Sequence, residues 1–169
     1  KDIKIEFKKK IKNQPDKIDF TVEKKPKNVF VKGAISPEKI ASSIAHHQVK
    51  TSIGAHDIFL GQVRADQINN ETVTAVNYSC YEEMATAEFH KIREEAFRKH
   101  DLTCMHIYHS LGDVKAGEIC LFVFTSSKHR KEAMDACRFL VEEIKARVPI
   151  FGKEILTDGN HAWKTNTPK

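Results

Sequence analysis

No apolar run in the sequence approaches the ~20 residues that a membrane-spanning helix needs, so no span is expected. The lysine-rich start is not followed by an apolar signal core, so export is not expected and a cytoplasmic location is. The cysteines Cys80, Cys104, Cys120 and Cys137 form no CxxC pair. That argues against a structural zinc site and leaves buried free thiols in a reducing compartment as the expectation. No P-loop, dinucleotide fingerprint, serine-nucleophile elbow or zinc signature is found, which removes the commonest nucleotide, hydrolase and metalloenzyme readings. Internal repeats and low-complexity blocks are absent too.

What is present suits one globular domain. The chain has 169 residues, 40% of them hydrophobic and 30% charged, enough to bury a single core and too apolar for wholesale disorder. Its formal charge of +5 is unevenly spread. Residues 1–28 hold ten lysines and five acids, leaving 18 basic and 18 acidic residues for the rest. The basicity therefore belongs to an N-terminal segment, 1–28, and not to the domain at 29–169. A nucleic-acid footprint would mark a folded face, and the tyrosines and phenylalanines are too dispersed for a base-stacking platform, so no nucleic-acid partner is expected.

Along the chain, Ile3, Ile5 and Phe7 alternate as in a short strand, and Val29–Lys32 reads as another. Ser36-Pro37-Glu38 then opens a short helix, with a capping serine, a proline at the first helical position and an acid at the positive dipole end. Strands follow at 53–64 and 72–81, separated by an Asn69-Asn70 turn. Ala85, Phe89, Ile92 and Ala96 recur at helical spacing over 83–99. Strands at 103–109 and 119–125 flank a turn around Gly112 and Gly117. The strongest helix spans 130–147, where Ala133, Ala136, Cys137, Leu140, Val141 and Ile144 trace one face until Pro149 stops it. Hairpins between helices favour an α+β fold, with an antiparallel sheet covered on one face by the second and third helices.

Three stretches carry chemistry. Ser126-Ser127-Lys128-His129-Arg130 lies where a strand hands over to the long helix, whose first turn offers free N–H groups to an anion. Gly61-Gln62-Val63-Arg64 ends a strand on a glycine that permits close approach and an arginine able to grip a phosphate. Lys145 and Lys153 flank the Pro149 turn and could converge on one pocket, where burial beside another cation would fit either for acid–base work. Taken singly, each of these side chains more often plays a solvated surface role. His46-His47 ends a short helix and lacks a third ligand, and His106 and His109 point to opposite faces of a strand. No metal site and no cofactor are expected, and Trp163 reads as a packed aromatic.

The blocks Gly54 to Arg64, Tyr81 to Ala85, His109 to Gly112, Ser126 to Arg130 and Lys145 to Glu154, with Asp158-Gly159 and Trp163-Lys164, resemble the large subunit of molybdopterin synthase, the MoaE family. The resemblance covers about residues 29–165, in order. It implies an α/β-hammerhead fold and a central homodimer, each subunit binding a small ubiquitin-like sulfur carrier. It implies a sulfurtransferase in molybdenum-cofactor biosynthesis, moving sulfur from the carrier's Gly-Gly thiocarboxylate to cyclic pyranopterin monophosphate. Arg64, His129 and Arg130 then match substrate-binding positions, and Lys145 matches the essential active-site lysine. The family's usual Pro-Ile-Trp-Lys-Lys-Glu is here Pro149-Ile150-Phe151-Gly152-Lys153-Glu154, so a second functional lysine is replaced by Gly152 and Lys153 is its expected substitute. The family's His-Arg-x-Gly is His109-Ser110-Leu111-Gly112, without the arginine. The missing lysine also leaves open a non-catalytic scaffold that only docks the carrier.

Overall fold

The computed structural model describes residues 27–164. The strand expected at Ile3, Ile5 and Phe7, and nearly all of the 1–28 segment, lie outside the described residues. Eight strands and three helices run in the order β1 (Phe30–Lys32), α1 (Pro37–Gln48), β2 (Ala55–Gln62), β3 (Gln67–Ile68), β4 (Glu71–Cys80), α2 (Glu82–Lys99), β5 (Cys104–Lys115), β6 (Ile119–Ser127), α3 (Arg130–Arg147), β7 (Ile150–Leu156) and β8 (His161–Trp163). The fold is α+β, as the alternation of hairpins and helices requires.

The sheet order is β2-β6-β5-β4-β7-β8, every neighbour antiparallel, with β3 on β4. β1 departs from the expected antiparallel sheet by pairing in parallel with β5, Phe30 opposite His109. β5 is longer than its sequence suggests. Gly112, expected in a turn, lies within the strand at φ +80°, while the hairpin turn falls at Ala116-Gly117. β5 pairs with β6 up to His109 and with β4 from Gly112 onward, so the glycine marks the handover between two partners.

β6 is buried along nearly its whole length because both faces are covered. Leu121 and Val123 face α2 and α3, joining Phe89, Ile92, Leu140 and Ile144 in the main core. Phe122 and Phe124 face the other way, with Ile35 and the half-buried Ile40 and Ile44 of α1. Two helices therefore cover one face and α1 covers the other. Ser36 caps α1 as expected, its Oγ accepting from Lys39 N. Val148, held extended before Pro149, ends α3.

Candidate active site

Where the C-terminal turn of α3 meets the far end of β2 and the β4–β7 pair, a cavity of about 160 Å³ opens. Lys145 and Lys164 bring ammonium groups to it, and Gly61, Gly152, Tyr78, His109 and Cys120 form much of its wall. Lys145 sits one step off the apolar stripe of α3, which turns its stem over the Phe59 ring, with Nζ 5.8 Å from the centroid. The two glycines keep the wall low. A Cβ on Gly61 would come within 3.0 Å of Leu121 Cβ, and one on Gly152 within 3.1 Å of Val76 Cγ1.

Lys164 follows β8, and its Nζ donates to Glu154 Oε1 at 2.9 Å. Glu154 is otherwise buried, so this ion pair supplies the partner a desolvated carboxylate needs. The pair uses one of three ammonium protons and leaves two for a guest.

The cavity holds a thiol that stays a thiol. Burial pushes Cys120 above its ordinary range, against the opposing pull of Tyr78, Lys164 and Lys145. Its Sγ donates to the Gly61 carbonyl at 3.3 Å and accepts from the Tyr78 hydroxyl at 3.4 Å. Burial holds Tyr78 protonated as well. His109 Nδ1 donates to the Ser110 carbonyl at 2.8 Å, and burial keeps the ring neutral.

The expected convergence of Arg64, His129, Arg130 and Lys145 does not occur within one chain. His129 and Arg130 stand exposed at the N-terminus of α3, and fifteen residues of helix put Lys145 about 22 Å further along the axis. Arg64 lies past the β2 bulge, exposed and paired with Asp66 at 2.8 Å, and does not line the cavity. Lys153 also misses it. Gly152, Glu154 and Leu156 alternate onto the buried side of β7, which turns Lys153 to the opposite face. The sequence reading missed Lys164. The only available signal was its place directly after Trp163, since nothing in the sequence brings β8 back beside Gly152.

Residues 31–147 match the sequence profile of the MoaE family, described as MoaE protein. The chain belongs to the MoaE family. The molybdopterin synthase catalytic subunit of Pyrococcus abyssi is 35% identical over 147 residues, 87% of this chain and 91% of that one. The Oryza sativa subsp. indica protein of the same name is 39% identical over 120 residues, 71% of this chain and 61% of its own greater length. The crystal structure of molybdopterin synthase from Staphylococcus aureus superposes with a TM-score of 0.70 at 28% identity, covering 81% of this chain and 96% of that one. In this MoaE chain, the lysine expected at position 152 is a glycine packed against the Lys164 stem, 3.4 Å from where its Cβ would stand to Lys164 Cβ.

Proposed function

We propose that this MoaE chain is the catalytic subunit of a molybdopterin synthase. It takes sulfur from the thiocarboxylated C-terminus of a small ubiquitin-like carrier and passes it to cyclic pyranopterin monophosphate. The observation that carries this reading is the pairing of Lys145 and Lys164 at one glycine-walled cavity. A Gly-Gly tail is the narrowest peptide end there is, and low walls at Gly61 and Gly152 suit its approach. Two ammonium groups at a partly enclosed site favour an anionic thiocarboxylate and stabilise charge that builds on its acyl oxygen as sulfur departs. Lys145, free of any salt bridge among the described residues, is the group assigned to proton transfer and acyl stabilisation. Cys120, held as a thiol, is a poor sulfur relay, so the sulfur has to arrive with the carrier.

The phosphate of the pterin needs more cationic groups than one chain supplies here. In our reading His129, Arg130 and Arg64 serve as its binding groups through a homodimer, in which a second copy brings its α3 N-terminus to the first copy's cavity. A cytoplasmic location accords with four unpaired cysteines.

The test is product formation from thiocarboxylated carrier and cyclic pyranopterin monophosphate. Lys145→Ala is expected to abolish it while circular dichroism and carrier binding stay unchanged; activity retained in that variant overturns the assignment. Gly152 favours a second reading, a scaffold that docks the carrier without chemistry. A single turnover separates the two, since a scaffold binds the thiocarboxylate and leaves its sulfur in place.

A further inference from the structure

On the face of the sheet away from the cavity, His47, Cys104 and His106 bring three ligand atoms together. Cys104 and His106 alternate onto that face of β5, two residues apart, while His47 comes from the last turn of α1. His47 Nε2 lies 2.9 Å from Cys104 Sγ and 3.1 Å from His106 Nε2, and Cys104 Sγ lies 3.5 Å from His106 Nε2. We propose that these three side chains form a binding site for a zinc-class divalent ion that ties α1 to the sheet.

The tautomer of His47 points the same way. Its Nδ1 is 2.6 Å from the Ser43 carbonyl, which can only accept, so Nδ1 carries the proton and Nε2 presents a lone pair. That single lone pair faces both Cys104 and His106. Hydrogen bonds running from His106 to Cys104 to His47 satisfy two of the three contacts and give the 3.1 Å contact between the imidazoles no role. An ion at the centre uses all three. Two nitrogens and a sulfur on a tetrahedral zinc stand about 3.3–3.6 Å apart, from bonds of about 2.0–2.1 and 2.3 Å, so the His47–Cys104 pair has to open by about 0.6 Å and the other two contacts by less. Phe124 walls one side, its ring centroid 4.9 Å from that of His47.

The donor set selects the ion. Imidazole and thiolate suit zinc and its neighbours, whereas magnesium and calcium need oxygens. The Cys104 thiolate meets part of the ion's charge. Binding forms a zinc–sulfur bond and breaks the Cys104 S–H bond, with the proton going to solvent. Three protein ligands leave a fourth position for water. Sequence spacing hid the site because its ligands are 57 residues apart.

The full chain, stripped with a chelator, is titrated with zinc alone against a chromophoric competitor, and its melting is followed. One zinc per chain and a higher Tm are expected, because an ion that binds only the folded state stabilises it. Cobalt in place of zinc should give a thiolate-to-cobalt charge-transfer band. Cys104→Ser should remove that band and weaken zinc by at least about tenfold. His106→Gln should weaken zinc likewise, and serves if the serine variant fails to fold. His161→Asn, on exposed β8, should change nothing. Substoichiometric zinc, an unmoved Tm, or binding indifferent to both ligand variants overturns the proposal and leaves a hydrogen-bonded chain only.

Discussion

Gly152 and Lys164 lie side by side in the cavity wall. A lysine at 152 would push its stem into space that Val76, Tyr78 and the Lys164 stem already fill. The cation enters from β8 instead, beside β7, where Lys164 N donates to the Gly152 carbonyl at 2.8 Å. Removing Lys164 alone would strand Glu154 as a buried, unpaired carboxylate, so the informative variant is Lys164→Met with Glu154→Gln. It should keep the wild-type melting profile and lose about 10²-fold in turnover, the usual cost of removing one preorganised charge donor. Lys153→Met should leave turnover near wild type. The reverse ranking in a steady-state assay would return the role to Lys153. Lys145 was legible in the sequence because its position matches the family block. Lys164 was not, because its place at the cavity depends on β8 folding back beside β7, and a strand of three residues carries almost no periodic signal.

Among the elements, α2 and α3 were the most legible, since long amphipathic periods survive small errors at their ends. β5 was misread because a glycine at positive φ looks the same in sequence whether it makes a turn or a handover between strand partners. The side of the sheet that α1 covers was likewise hidden, because it depends on which face β6 offers. The α2–α3 contact has a polar clamp of its own. Arg147 binds Glu143 on α3 and reaches across to Glu88 and Glu95 on α2, at 2.6–3.0 Å. Its guanidinium is the main reason that Glu88 and Glu95 sit below the ordinary glutamate value of 4.5. Carboxyls lowered in the folded state hold protons less readily there than in the unfolded chain. Their contribution is therefore complete above pH 4.5 and is lost as pH falls through their lowered values. Arg147→Met should flatten the fall in denaturant midpoint below pH 4.5, and at pH 7 it should destabilise less than Leu140→Ala. The latter empties a fully buried position in the same layer, at about 2–5 kcal/mol. An unchanged acid limb in the Arg147 variant would assign the pH dependence elsewhere.

At the scale of the whole molecule, one chain carries two separated cationic clusters. The lysine pair sits at the C-terminal end of α3, and His129 with Arg130 sits at its N-terminal end. The helix between them is rigid, so no rearrangement within the domain brings them together, whereas a two-fold pairing of chains can set the N-terminus of one α3 against the C-terminal end of the other. The sequence placed Lys145, His129 and Arg130 on or beside α3 but was silent on the distance along the helix that separates them, which is why they were expected at one pocket. Shared sites make a distinctive prediction. Lys145→Ala and Arg130→Ala chains should each be inactive as homodimers. After mixing and exchange, half of the dimers are hybrids, and each hybrid holds one intact site and one doubly defective one. The mixture should therefore recover about a quarter of the wild-type rate, as measured by product formation after the two chains are refolded together. If nothing is recovered although exchange is verified by mass, the two clusters do not complement each other between chains and the shared site is overturned.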